Sequence, residues 1–222
     1  DTGVTNTAQT TFSNLQPGTD YSLQEAIPND WNLAAASCST GGETADLDTG
    51  LVTGITLPAG GDVTCTFNNA KPGLSTITKT SVGGLGTFDF TITNAPPGTF
   101  SLTTTGSPSG GSSAPIGITL SAGQYVITEN DPSAGGWTLT DIQCTEDGTQ
   151  DSIIDIPNRQ ITLNVQDGET IACDVTNTKD GTVIVEKQTI PAGDPADFVF
   201  SGDLAGTLSD GETLTLSDNF TA

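Results

Sequence analysis

The sequence predicts an all-β chain of tandem β-sandwiches, and three observations lead there. Short runs such as Phe88-Asp-Phe-Thr-Ile92 and Ile161-Thr-Leu-Asn-Val165 put apolar side chains on every second position, the period of a half-buried strand, and Thr182-Val-Ile-Val-Glu-Lys187 is a run of β-branched residues. Gly, Pro, Asn and Asp break these runs at short intervals, and each is a turn former for its own steric or hydrogen-bonding reason. Finally, the scarcest residues recur in one order along the chain, as they do when one module is used more than once.

The four lysines form two matched pairs, Lys71 with Lys79 and Lys179 with Lys187, each eight residues apart. Both tyrosines open a Tyr-x-[Leu/Ile]-x-Glu pattern, Tyr21 to Glu25 and Tyr125 to Glu129. A tryptophan follows each pattern (Trp31, Trp137), and a cysteine stands seven residues beyond it (Cys38, Cys144). A second cysteine then precedes an asparagine by four, Cys65 before Asn69 and Cys173 before Asn177.

Aligned on these residues, 72–179 is a complete module. Its expected order is a lysine strand (Ser75 to Ser81), a strand around Phe88 and Phe90, and an inner stretch through Phe100 and Leu102. A Gly/Ser-rich excursion (Gly106 to Ser113) leads to Ile118 to Leu120, then to strands at Tyr125 to Glu129, Trp137 to Cys144, Ile161 to Val165 and Cys173 to Asn177. Seven or eight short strands with almost no helix indicate a sandwich. Residues 1–71 match only the later part of the module, and 180–222 only its beginning, with Lys187 equivalent to Lys79 and Phe198 and Phe200 to Phe88 and Phe90.

A half module would expose unpaired strand edges and an open core. Two readings accommodate this. The chain is a window of a longer tandem array, or the tail of one copy supplies the strands that the head of the next lacks, a head-to-tail contact that propagates into a fibre.

Composition narrows the function. Five Lys+Arg face 27 Asp+Glu, a formal charge of −22, which argues against nucleic acid or anionic lipid as partner because nothing would neutralise phosphate. Histidine is absent, which removes the commonest general base and metal ligand, and with it support for hydrolase triads and zinc sites. No cofactor is expected; the oxygen-rich stretch Asp141 to Asp155 is the place for a hard cation such as Ca2+, although no EF-hand pattern is present. The four cysteines are even in number and lack C-x-x-C spacing, so paired disulfides in an oxidising, extracellular setting are expected; the pairs expected are Cys38 with Cys65 and Cys144 with Cys173. Trp31 and Trp137 are expected to pack beside them as core anchors. Neither a signal peptide, a membrane-spanning stretch nor a cell-wall sorting signal is evident, so the expectation is a mature or trimmed segment with its anchoring supplied elsewhere. Asn219-Phe-Thr221 is a glycosylation sequon.

In order, Thr76-Ile-Thr-Lys79, Pro97-Gly98-Thr-Phe100, Tyr125-Val-Ile-Thr-Glu129 and Val175-Thr-Asn177-Thr-Lys179, with Pro17-Gly18, Tyr21 to Glu25 and Phe67-Asn-Asn69-Ala-Lys71 as the partial copy, resemble the prealbumin-like, collagen-adhesin B-type modules of bacterial pilins and surface stalks. The resemblance implies immunoglobulin-like or prealbumin-like sandwiches at the cell surface. It also implies an intramolecular isopeptide bond, with Lys79 as nucleophile, Asn177 as acceptor and Glu129 as promoter. In the head Asn69 and Glu25 have no lysine of their own, and Lys187 is its equivalent. Lys71 and Lys179, at the module junctions, are read as solvated strand ends. The expected protein is an extracellular structural subunit whose partner is another copy of itself, not an enzyme on external substrate. The alternative is an adhesin binding a host, matrix or glycan ligand through the Gly106 to Ser113 excursion and the acidic loop.

Overall fold

The computed structural model describes residues 8–202 and 204–216. The alternation legible in the sequence becomes strands throughout, with a single 3-10 turn at Ser133–Gly135 among the described residues. The first group comprises β1 (Gly18–Gln24), β2 (Asn32–Cys38), β3 (Thr44–Asp46), β4 (Leu51–Leu57) and β5 (Cys65–Ala70). The middle group comprises β6 (Gly73–Val82), β7 (Thr87–Ile92), β8 (Thr99–Thr103), β9 (Thr105–Ser107), β10 (Gly110–Ser112), β11 (Ile116–Leu120), β12 (Gly123–Glu129), β13 (Trp137–Glu146), β14 (Ile153–Asp155), β15 (Gln160–Val165) and β16 (Thr170–Lys179). The last comprises β17 (Val183–Glu186), β18 (Phe198–Phe200), β19 (Gly206–Leu208) and β20 (Thr213–Leu216).

The middle group is a two-sheet sandwich. One sheet runs β13-β16-β6-β10-β9, with β11 also paired to β6, and the other runs β14-β15-β12-β7-β8. Every pairing is antiparallel except β6 with β16, which run parallel with Lys79 opposite Val175 and Ser81 opposite Asn177. Because side chains alternate across a strand, β6 turns Ser75, Ile77, Lys79 and Ser81 inward, and β16 turns Ile171, Cys173, Val175 and Asn177 inward. The core fills between them with Phe88, Phe90, Phe100, Ile127, Trp137, Leu163 and their neighbours. Eleven strands replace the seven or eight expected. The surplus is short: β14 lengthens the second sheet, and the Gly/Ser excursion is the hairpin β9–β10 hydrogen-bonded along the edge of β6. Its glycines permit that close approach, since a Cβ at Gly110 would stand 2.4 Å from the Ser81 carbonyl oxygen.

The flanking groups repeat this plan in part. β1 pairs with β4 and β4 with β3, as β12 pairs with β15 and β15 with β14; β2 pairs with β5 as β13 does with β16. The tail holds the other half: β17 pairs with β20 as β6 does with β11, and β18 with β19 as β7 does with β8. The head core is correspondingly thin, with Cys38, Val52 and Ile55 its buried cluster.

Candidate functional site

Three polar side chains lie at the centre of the middle sandwich, where a buried polar group is costly unless it is partnered. Lys79 comes from β6, Asn177 from the adjacent β16, and Glu129 ends β12 on the facing sheet. Their relative exposures are 0%, 0% and 2%. Parallel pairing sets Lys79 and Asn177 on one face, two positions apart in register, a gap the lysine stem spans. Lys79 Nζ donates to the Val175 carbonyl at 3.0 Å, lies 3.2 Å from Glu129 Oε1, and stands 4.5 Å from the centroid of the Phe88 ring. Asn177 Nδ2 donates to the same Glu129 Oε1 at 2.9 Å. Glu129 Oε2 and Asn177 Oδ1 are buried with no protein partner.

Burial governs the charges. Removal from water pushes Lys79 down from its ordinary 10.5 to about 8, against the pull of the neighbouring Glu129 and Asp174 carboxylates. The same removal pushes Glu129 up, and it outweighs the opposing influence of Lys79 and Asn177. Both shifts favour a neutral amine facing a neutral acid. A proton on Glu129 Oε2 would turn that oxygen from an acceptor into a donor, and Asn177 Oδ1 is a buried acceptor without a donor. The site therefore sets an amine, a carboxamide and a carboxylic acid in one buried pocket.

The structure adds participants that the scarce-residue pattern does not point to. Phe88 supplies an electron-rich face to the ammonium form of Lys79, Arg159 Nε donates to the Glu129 carbonyl at 3.4 Å, and Ser113 holds the Lys79 backbone through its hydroxyl and its amide. Alternation at Phe88 was a sequence signal for the ring; nothing local in sequence signals Arg159 or Ser113.

In the head, Asn69 Nδ2 donates to Glu25 Oε1 at 2.6 Å, and Glu25 Oε2 is buried without a partner. The acid and amide of the middle site are thus repeated without an amine. Lys187 follows β17, which pairs with β20, while among the described residues β5 pairs only with β2, so no strand pairing there brings Lys187 beside Asn69 within one chain. The Lys187 Nζ stands 4.1 Å from the Phe198 centroid, the counterpart of Lys79 on Phe88.

Disulfides join Cys38 to Cys65 and Cys144 to Cys173, with Cα atoms 4.0 and 4.1 Å apart. Each pins directly opposed residues of neighbouring strands, β2 to β5 and β13 to β16. The tryptophans do not pack beside them. Trp137 opens β13, seven residues up the strand from Cys144, and meets Phe88 edge to face at 5.2 Å under the Lys179 ammonium, 4.8 Å from its ring. Lys179 is an exposed strand end, as expected, and its Nζ also donates to the Gly135 carbonyl. Trp31 is 44% exposed, because the head has no strand corresponding to β7 to cover it. In the acidic loop Glu146 accepts the amides of Asp151 and Ser152, and among the described residues no three His, Cys, Asp or Glu side chains converge as a metal site. The Asn219 sequon lies outside the described residues.

A family model for a prealbumin-like fold domain matches residues 1–71 and again 75–179. The chain belongs to the prealbumin-like fold domain family. The two matched stretches account for the repeated Tyr, Trp, Cys and Asn positions and for the shared strand plan of the prealbumin-like units. The chain is also similar, at 13% identity and a TM-score of 0.29, to a crystal structure of a point mutant of the major pilin from Streptococcus pyogenes, covering 76% of this chain and 72% of that one. No curated protein matches it. No helix among the described residues is long and apolar enough to cross a membrane.

Proposed function

We propose that this protein is an extracellular structural subunit of a filament, pilus or surface stalk, made of prealbumin-like modules that are locked covalently and joined head to tail. The observation that carries the reading is the buried set Lys79, Glu129 and Asn177. A dry lysine, acid and carboxamide are a poor way to stabilise a core, because each loses hydration and two atoms gain no partner. They are a good way to make an amide.

The neutral Lys79 Nζ attacks Asn177 Cγ and a carbon–nitrogen bond forms. Protonated Glu129 polarises the carboxamide; a proton from the amine passes by way of Glu129 to Nδ2, the Cγ–Nδ2 bond breaks and ammonia leaves. Atoms and charge balance without a cofactor. Prior placement of amine and amide on neighbouring strands supplies the entropic part of the barrier. The reaction occurs once, and its product is the protein itself, so the role is mechanical rather than enzymatic. The bond would join the first strand of the module to its last, where a pull along the chain enters and leaves.

The modules divide as 1–71, 72–179 and 180–222, the outer two being halves of one plan. In a fibre, the tail of one copy contributes the strands missing from the head of the next. Two disulfides and the lack of any other cysteine suit an oxidising exterior. Electron microscopy of the purified chain tests the assembly: linear polymers are expected, and a population of compact single molecules at all concentrations would contradict it.

A further inference from the structure

We infer that residues 183–216 of one copy dock on residues 18–70 of a second copy to rebuild a complete sandwich, and that Lys187 of the first then forms an isopeptide bond with Asn69 of the second. The inference rests on the structural-subunit reading above and names the partner surface and the linking residues.

The middle sandwich is the template. There, the two sheets read β13-β16-β6-β11 and β14-β15-β12-β7-β8 once the β9–β10 hairpin is set aside. The head alone contains the counterparts of β13-β16 and of β14-β15-β12, and the tail alone contains those of β6-β11 and of β7-β8. No strand of the plan is left unfilled. Among the described residues, each half also ends at the edge the other requires: β5 has an unpaired side where β16 holds β6, and β1 has one where β12 holds β7.

Packing agrees with pairing. Phe88 and Trp137 are 3% and 7% exposed where they meet, whereas Phe198 and Trp31, their counterparts in tail and head, are 37% and 44% exposed. Val183, on the same face of the strand as Val185 and the following Lys187, is exposed as well. Docking brings the two aromatic rings together and covers the inner face of β17, at roughly 1.5–3 kcal/mol for each large apolar side chain taken fully out of water.

One chain cannot satisfy itself this way. β6 and β16 are parallel, so the head joins the sandwich at the start of β6 and the tail leaves from the far end of β16. Each strand is ten residues long, on the order of 30 Å at about 3.3 Å per residue. The connections, from Ala70 to Gly73 and from Lys179 to Val183, are too short to return over that distance.

Register places the chemistry. In the template Lys79 faces Val175, two residues before Asn177; counting from Cys65 as the counterpart of Cys173, Lys187 faces Phe67, two residues before Asn69. Glu25 already accepts from Asn69 and its second oxygen is buried and unpartnered. The docked Lys187 supplies the amine: its Nζ attacks Asn69 Cγ, a proton passes through Glu25 to Nδ2, the Cγ–Nδ2 bond breaks and ammonia leaves.

The test is a reducing, denaturing gel of the purified chain, with the mass of each band and the native size measured in parallel. The expected result is a ladder that survives boiling in detergent, each step one ammonia lighter than the sum of its parts. Lys187→Ala and Asn69→Ala should each abolish the ladder while keeping native oligomers. Loss of the intramodular ammonia in these variants would show that the middle module is folded. Native oligomers of the unaltered chain that detergent disperses would overturn the bond and leave head-to-tail joining standing. A chain that stays monomeric would overturn both, a monomer lacking two ammonias would show closure within one chain, and a ladder persisting in Lys187→Ala would assign the linkage to other residues.

Discussion

Lys79 is the residue on which the proposed chemistry turns, because a fully buried amine that is not held as an ion pair must lose its proton or its identity in an amide. Replacing it tests the second. In Lys79→Ala or Asn177→Ala the middle module should retain every atom of its ammonia, and in Glu129→Gln the reaction should stop or slow by orders of magnitude, since a carboxamide cannot shuttle the proton. Fragment mass spectrometry would find the peptide bearing position 79 unlinked. The first fate is visible in Asn177→Ala, where Lys79 remains an amine. Folded Lys79, desolvated, releases its proton near 8, while the unfolded chain holds it to its ordinary 10.5. The unfolded state therefore binds more protons across that window, so the unfolding free energy should rise as pH increases from 8 to 10.5. Glu129 acts in the opposite sense: burial raises it above its ordinary 4.5, the folded state binds the extra proton, and stability falls as pH rises through the raised value. Urea titrations across pH would show both limbs.

At the scale of strands, each disulfide staples one pair of neighbouring strands. The cysteine pairs close loops of 27 and 29 residues, and loop-closure entropy puts each disulfide at roughly 3 to 4 kcal/mol. Replacing Cys144 and Cys173 together by Ala should lower the unfolding free energy by about that much, measured by denaturant titration. β17 offers a separate test. Val185→Pro removes an amide donor from a strand interior and should abolish joining between copies, read by native size, while the middle module still loses its own ammonia. Much of this architecture was legible in the sequence because alternation marks strands and the scarce Tyr, Trp, Cys, Lys and Asn mark equivalent positions. What was not legible has a physical reason. The β9–β10 hairpin has no side-chain alternation, since Gly110 and Gly111 serve by lacking a Cβ near the β6 backbone. Trp137 packs on Phe88 and not on the disulfide because it sits a strand's length from Cys144, and sequence order alone does not say which end of a strand faces which ring. The recurrence of Lys79, Glu129 and Asn177 could be read from the repeated order and their grouping from the family resemblance, whereas the unpartnered Glu129 Oε2 and Asn177 Oδ1 could only come from geometry.

For the whole molecule, a charge of −22 spread over 222 residues keeps single copies apart and works against end-to-end joining. Salt should relieve this: the Debye length falls from about 10 Å at 0.1 M to about 3 Å at 1 M. Light scattering should accordingly report faster growth of polymers as ionic strength rises, with no change in the final covalent linkage. A prealbumin-like module locked between its first and last strands, as proposed, would pass force through covalent bonds and spare the sheets. That picture depends on Lys79 and Asn177 ending as one amide. The most direct measurement is the intact mass of the purified chain under reducing conditions beside that of Lys79→Ala: the account predicts that a single copy is one ammonia lighter than its sequence and that the variant is not, whereas a chain at full sequence mass would contradict it.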